Sequence, residues 1–226
     1  MLEIAYRENG SVAARFSDTV KLDYQKKDLR DFAQGLFDYQ NSFRIAPGSY
    51  TLTLVLSAGG EKFGKYVLPL VVEPFSGNGL SLGGPALGEK FLPISQLTAN
   101  MHAALLEGRK PLMFKGMELV PSTTCRFARS AQPVAYVEVY DPALKSSPPP
   151  RVGVMFKIID RKTNQQVYSS QTILVNDYSQ PGNPLIPVGI KLPVEQLPPG
   201  NYRFEIKGRD AMGNVSTVHS ADFSIE

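Results

Sequence analysis

The sequence is poor in the residues from which most catalytic and metal sites are built. Its 226 residues include one cysteine, two histidines and no tryptophan. The single cysteine, Cys125, excludes an intrachain disulfide. Two histidines far apart in sequence, with no second cysteine, do not make a zinc site. The lack of tryptophan weakens a carbohydrate-binding interpretation, because sugar platforms commonly use tryptophan rings for stacking.

Long apolar runs and clusters of charge are also missing. No run reaches the ~18 apolar residues of a membrane helix. The net charge is only +3, and the lysines and arginines are scattered, with no more than two adjacent anywhere in the sequence. A nucleic-acid-binding surface is therefore not indicated. The first six residues alternate like a strand and do not resemble a signal peptide. We expect either a cytoplasmic protein or, preferably, a piece of a longer exported precursor.

Glycine and proline, in contrast, are plentiful and evenly spread. The 19 glycines and 18 prolines lie between short apolar runs, which is typical of many short strands joined by turns. We predict an all-β protein of two tandem immunoglobulin-like or fibronectin III-like β-sandwich domains. Residues 1–76 form the first domain, 77–90 a Gly-rich linker ("FSGNGLSLGGPALGEK" spans it) and 91–226 the second. The first domain has room for only about six strands, so an incomplete sheet is expected there.

Several strands are visible as alternating patterns. Residues 2–6 and 11–16 flank Asn9-Gly10, which tolerate the positive φ of a tight hairpin. Residues 51–56 and 66–72 read as strands, and 134–140 and 152–158 each bury one face. Residues 184–192 contain several prolines and are expected at a sheet edge. Two stretches stay open between helix and loop, namely 25–39 and 91–108.

One pattern occurs twice, 152 residues apart (202 − 50). "APGSYTLTLVL" and "PPGNYRFEIKG" each combine Pro-Gly-x-Tyr with an alternating strand, a polar turn and a returning strand. The structural signature consists of Pro47, Gly48, Tyr50, Pro199, Gly200 and Tyr202. We predict that Pro-Gly forms a corner between sheets, with the tyrosine ring packed beneath it and its hydroxyl bonded to the upstream backbone. The signature predicts fold and carries no chemistry.

The few residues with chemical potential favour structural interpretations. Cys125 with His102 or His219 would supply a nucleophile and a base, but Cys125 lies in the strand-like run "STTCRF", where cysteine usually packs as a small hydrophobe. We therefore predict no enzyme, no catalytic residue, no cofactor and no metal ion. The role of Cys125 stays open.

The last hairpin has two possible interpretations. Asp210 and Asn214 bracket its turn. They are candidate calcium ligands, but side-chain bonds that stabilise the turn are the favoured interpretation. Residues 214–216 also fit a glycosylation acceptor. The alternating charges Arg203, Glu205, Lys207 and Arg209 indicate a solvated outer face.

Four segments together resemble a known family: "IAYRENGSVAARFSDTVKL", "FDYQNSFRIAPGSYTLTLVL", "GMELVPSTTCRFARSAQPVAYVEVYD" and "LPPGNYRFEIKGRDAMGNVSTVHSADFSIE". They resemble the β-sandwich region carboxy-terminal to the von Willebrand factor A domain in secreted bacterial VWFA-related proteins. The Asp-x-Ser-x-Ser metal signature of the A domain itself is absent from this sequence. The resemblance implies accessory sandwich modules of an exported protein.

The leading functional hypothesis is a non-catalytic interaction or structural module of a secreted or cell-envelope protein. Its partner would be another protein or other domains of the same polypeptide, with no nucleic acid and no membrane insertion. A carbohydrate-binding module appended to an enzyme is the alternative, and an enzyme that uses Cys125 is a third. A fourth is self-association through an open sheet edge, with strand addition as its mechanism.

Overall fold

The computed structural model describes residues 1–19, 41, 43–57, 62–74, 79–93 and 112–226. These residues form an all-β protein, as the sequence predicts, with short 3-10 turns as the only helical segments described. The chain divides into two compact units, Met1–Phe75 and Ser76–Glu226. Among the described residues, no helix has the length and apolar character needed to cross a membrane. The predicted helix or loop at 25–39 lies outside the described residues.

The described residues of the first unit form a four-stranded antiparallel sheet in the order β2-β1-β3-β4. Its strands are β1 (Leu2–Arg7), β2 (Val12–Ser17), β3 (Gly48–Ser57) and β4 (Phe63–Val72). The predicted hairpin at 2–16 and the predicted strands at 51–56 and 66–72 are confirmed. Gly10 has a φ of +78°, and the Asn9 side chain accepts a bond from the Ser11 amide at 3.0 Å, so the turn uses the expected residues.

Burial in the first unit is concentrated on one side of the sheet. Ala5 and Tyr50 are buried apolar residues there, and Glu3, also buried, accepts a hydrogen bond from the Asn41 side chain at 3.2 Å. The register places Ala5 opposite Leu52, so these groups share one face, because successive side chains alternate between faces. The described residues of this unit supply one sheet and not the two of a complete sandwich.

In the second unit, the residues that the structure describes form two larger sheets. The first has the order β14-β10-β6-β8-β7, with β5 also paired to β10; the second has the order β12-β11-β15-β16-β9, with β13 also paired to β11. The strands are β5 (Ser81–Leu82), β6 (Ala86–Pro93), β7 (Met113–Phe114), β8 (Met117–Pro121), β9 (Arg126–Phe127), β10 (Val134–Tyr140), β11 (Val152–Asp160), β12 (Gln166–Ser169), β13 (Ile173–Leu174), β14 (Leu185–Lys191), β15 (Gly200–Asp210) and β16 (His219–Ile225). Strand β14 lies at the end of its sheet, which confirms the predicted edge.

One hydrophobic core lies between these two sheets. The first sheet contributes residues such as Val137 and Ile186, and the second contributes Phe156, Phe204 and others, all in one buried cluster. The cause is alternation: on β15, every second residue from Tyr202 to Asp210 is buried, and the residues between them are more exposed. Two apolar faces that cover each other form a β-sandwich.

Of the predictions made from the sequence, the Gly-rich linker at 77–90 differs most from what the structure has there. Residues 79–90 of that stretch contain β5 and the start of β6, which both pair with β10. Leu80, Leu82 and Leu87 are buried in the core of the second unit. The small residues between these leucines let short strands turn closely, so a composition typical of a linker here serves a folded sheet. The open stretch 91–108 begins within β6, and its remainder from 94 onward lies outside the described residues.

Candidate functional site

Both copies of the Pro-Gly-x-Tyr signature form the same hydrogen bond. The Tyr50 hydroxyl donates to the Ala46 carbonyl at 2.7 Å, and the Tyr202 hydroxyl donates to the Pro198 carbonyl, also at 2.7 Å. In each copy the acceptor lies four residues upstream and directly precedes the signature proline. Proline restricts the residue before it to extended conformations, so the acceptor carbonyl is held in a fixed direction.

The glycine of each signature makes room for the tyrosine ring. A Cβ added to Gly48 would lie 3.2 Å from the Tyr50 hydroxyl oxygen, and one added to Gly200 would lie 3.2 Å from that of Tyr202. These distances are shorter than ordinary van der Waals contact, so any larger residue would push the ring outwards. In the signature, the carbonyl before the proline is the acceptor, the glycine has no side chain, and the tyrosine ring packs against that glycine.

The second corner is embedded in the core. Tyr202 is only 1% exposed, and its ring centroid lies 5.6 Å from that of Phe223. Burial raises the pKa of Tyr202, and the negative charge of Asp160 raises it further. The pKa of Asp160 is itself lowered, because its carboxylate accepts hydrogen bonds from the backbone amides of Thr163 and Lys162. Tyr202 thus stays a neutral donor, which its role in the corner requires.

Removing one corner hydroxyl is expected to weaken its unit measurably. Tyr202→Phe removes the hydrogen bond to the carbonyl of the exposed residue Pro198, and the net loss of one such bond costs about 0.5–1.5 kcal/mol. The free energy of unfolding from urea titration measures the loss. Tyr50→Phe should show a loss in the same range in the first unit. Tyr168→Phe is the matched control, since Tyr168 stacks on Phe156 at a half-buried position outside either corner. A Tyr202→Phe protein as stable as this control would contradict the role of the hydroxyl.

The charged stripe on β15 lies on the outer face, as predicted. Arg203 donates to Asp222 of β16 at 3.0 Å, and Lys157 of β11 pairs with Glu205 at 3.0 Å. Both pairs join opposite charges on neighbouring strands. Because exposed ion pairs contribute little to stability, their main effect is to keep this face hydrated.

The last hairpin turn is closed by its own side chains. One Asp210 oxygen accepts the Asn214 amide at 2.8 Å, and the other accepts the Asn214 side-chain nitrogen at 2.6 Å. Asp210 is buried, with 4% exposure. These bonds agree with the interpretation that Asp210 and Asn214 stabilise the turn. Within the described residues, no three His, Cys, Asp or Glu side chains are grouped closely enough to hold a metal ion.

Cys125 differs from its predicted strand setting. It directly precedes β9 and has a φ of +49°, while its amide is held by the Ser122 hydroxyl at 3.1 Å. The half-buried side chain packs against the main core. Burial raises the pKa of its thiol. Of the two histidines, His219 has its ring Nε2 3.1 Å from the Thr217 hydroxyl, and His102 lies outside the described residues.

The thiol of Cys125 is expected to react slowly. A raised pKa leaves little thiolate at neutral pH, and partial burial limits access. Alkylation by iodoacetamide at pH 8 should be at least about tenfold slower than that of free glutathione. Urea should abolish the difference, because unfolding removes the burial. A native rate equal to or above that of glutathione would contradict the buried setting and would favour a reactive thiol.

The most unusual surface of the described residues is strand β4. It is the last strand of the sheet order in the first unit, and it carries large apolar side chains in solvent. Phe63 is 71% exposed, Val71 68% and Tyr66 66%. Val67, at 49%, and the neighbouring Leu56 of β3, at 57%, extend the surface. We call the exposed apolar residues of β4 (Phe63, Tyr66, Val67 and Val71) the β4 surface.

Sequence reasoning missed the exposure of the β4 surface. An unbroken apolar strand such as 66–72 is typical of strands buried on both faces, whereas here only Leu68, Leu70 and Val72 are even half-buried. The available signal was the shortage of strands before Tyr50, which predicts an incomplete sheet. Exposed apolar strands at a sheet edge are where partners bind, so the β4 surface is the candidate functional site.

This assignment comes from the geometry of the chain itself. No family model matches the chain, and no curated protein matches it.

Proposed function

We propose that this chain is a non-catalytic interaction and structural module of a larger exported bacterial protein. The observation that carries the proposal is the β4 surface, where Phe63, Tyr66 and Val71 are each about two-thirds exposed. The two units would act as tandem immunoglobulin-like domains, and the β4 surface would bind a protein. The exported location rests on the resemblance of the four quoted segments to the sandwich region of VWFA-related proteins.

The energetics favour a covered β4 surface. Burial of apolar area stabilises by about 25 cal/mol per Å², and burying one side chain of the size of Phe63 contributes about 1.5–3 kcal/mol. Three of the four residues, Phe63, Val67 and Val71, lie on one face of β4, and exposed apolar residues grouped on one face mark interaction surfaces. A long apolar edge that stays uncovered tends to aggregate. A protein partner, or another domain of the same polypeptide, would remove that liability.

Carbohydrate binding fits the surface less well. A sugar platform needs several rings on one face, but residues 63 and 66 differ by an odd number along β4. Their side chains therefore project from opposite faces of the sheet. Tyr66 lies on the face of Leu68 and Leu70, while Phe63 lies on that of Val67 and Val71.

Site-specific photo-crosslinking in the producing cell tests the proposal. A benzophenone amino acid in place of Tyr66 should give a discrete crosslinked protein product. The same probe in place of Val167, an apolar residue of β12 that is 43% exposed, is the matched control and should give little product. Equal yields at the two positions, or none at position 66, would overturn the proposal. Specific retention on a glycan array that is lost in Tyr66→Ala would favour the carbohydrate alternative.

A further inference from the structure

We propose that the partner of the β4 surface is a second copy of this chain, bound by antiparallel pairing of the two β4 strands. The two-fold axis passes midway between the two strands at Val67, so that Val67 faces Val67 of the second copy. This inference rests on the proposed function, because it names the occupant of the same surface. The paired strands would join the two four-stranded sheets into one continuous sheet.

The backbone of β4 determines what kind of occupant fits. Among the described strands, β4 has a neighbour on one side only, namely β3, with pairs that run from Gly48–Val72 to Ser57–Phe63. Within the described residues no strand pairs with its other side, so the amide and carbonyl groups of alternate residues there are open to a further strand. Only an extended strand satisfies such a row of alternating donors and acceptors. An apolar ligand or a helix would leave them unpaired.

The side chains of β4 favour a second β4 strand as the partner. In antiparallel pairing about Val67, residue 63 faces residue 71 and residue 66 faces residue 68. Phe63 thus meets Val71 of the second copy on one face, and Tyr66 meets Leu68 on the other. Aromatic and β-branched or aliphatic cross-strand pairs of this kind are stabilising. Each exposed residue of the β4 surface then lies opposite an apolar residue of the second copy. Because of the two-fold symmetry, each such contact between different residues occurs twice.

The charge on β4 is compatible with this register and disfavours one alternative. Lys65 is the only charged residue among the ten of β4, and in the register about Val67 it faces Pro69 of the second copy. The two lysines are then about 14 Å apart, given a rise of about 3.4 Å per residue. That separation exceeds the screening length of about 8 Å at physiological ionic strength. A register about Lys65 itself would place like charges directly opposite, which is destabilising.

Pro69 is compatible with this pairing. Proline occurs in sheets at edge strands, where its missing N–H does not interrupt an internal ladder. In the new ladder its carbonyl still accepts a bond from Lys65 of the second copy, so each strand loses one donor only. A two-fold pair covers the β4 edge of both copies, so no further strand can add at β4.

The test uses a charge swap at the axis. Sedimentation of the unmodified chain over a concentration series should show a monomer–dimer equilibrium. Val67→Lys should weaken dimerisation at least about tenfold, since like charges then lie opposite each other, and Val67→Glu should do the same. An equimolar mixture of the two variants should recover the dimer, because each lysine then faces a glutamate. Val167→Lys adds the same charge at a comparably exposed position of the second unit and should leave dimerisation unchanged.

The outcomes separate this inference from the proposed function. A chain that stays monomeric, a dimer insensitive to both substitutions, or a mixture no better than the separate variants would overturn the β4 pairing. If the probe at Tyr66 crosslinks to a different polypeptide in such a case, the proposed function stands, and only the identification of the partner as a second copy is wrong. Circular dichroism of each variant checks that its sheets are intact. Should both variants unfold, disulfide trapping of Val67→Cys replaces the charge swap: rapid trapping supports the axis, and no trapping overturns it.

Discussion

Phe204→Ala is expected to destabilise the second unit by about 3–5 kcal/mol, the usual cost of removing a buried phenylalanine ring. The Phe204 side chain is 0% exposed, and its ring centroid lies 5.2 Å from that of Phe156. The ring belongs to the layer between the two sheets, where strands on both sides hold the backbone and prevent collapse into the gap. Urea or guanidinium unfolding measures the free-energy loss as a shift of the midpoint.

The control for this substitution is Val215→Ala, at a side chain that is 55% exposed. Its effect is expected within about 0.5 kcal/mol, as at most surface positions. If Phe204→Ala cost no more than this control, Phe204 would not lie in a closely packed core. The second unit would then not be a sandwich built about β11 and β15.

Gly88→Ala is the second substitution with a large expected effect, about 2–3 kcal/mol. A Cβ on Gly88 would lie 2.4 Å from the Val120 carbonyl oxygen and 2.5 Å from the Leu119 side chain. Leu119 is 1% exposed, so its side chain is surrounded by other residues. The clash with a backbone atom is relieved only if β6 and β8 move apart, which weakens the pairing between them. Thermal or urea unfolding should show the loss.

Gly64→Ala in β4 is the matched control for Gly88→Ala. It is also a glycine within a strand, but no atom lies within 4 Å of an added Cβ. We expect a change within about 0.5 kcal/mol. Equal effects at the two glycines would mean that the loss reflects the general behaviour of glycine in strands and not the close approach of β8.

Much of the local structure was predictable because it depends on short-range alternation. The pattern of β11 predicts that Val152, Val154, Phe156 and Ile158 share one face, and all four are buried in the core. The Pro-Gly-x-Tyr pattern predicts a hydroxyl bonded to the upstream backbone, and both bonds are present. Such features involve residues within about four positions of each other, so the sequence contains all the participants.

Features that depend on distant strands were not predictable in this way. Tyr136 alternates onto the face opposite Val137, yet it is 4% exposed, because Phe114 and Leu119 of the β7–β8 hairpin pack against it. Leu82 in the Gly-rich stretch pairs with Val139, 57 residues later. Local composition indicates a linker there, and only the pairing with β10 makes it a strand. The predicted absence of catalysis, metal and cofactor stays a prediction.

The sequence by itself determined that this is an all-β protein with two tyrosine corners 152 residues apart, because alternation and turn residues act locally. Tertiary structure alone decided which apolar strands are covered. Strand β14 is an edge but buries Ile186, Val188 and Ile190 in the sandwich, whereas β4, with an equally apolar sequence, leaves Phe63, Tyr66 and Val71 in solvent. Burial depends on what packs across a face, and that partner is encoded elsewhere in the chain or, as we propose for β4, in a second copy of it.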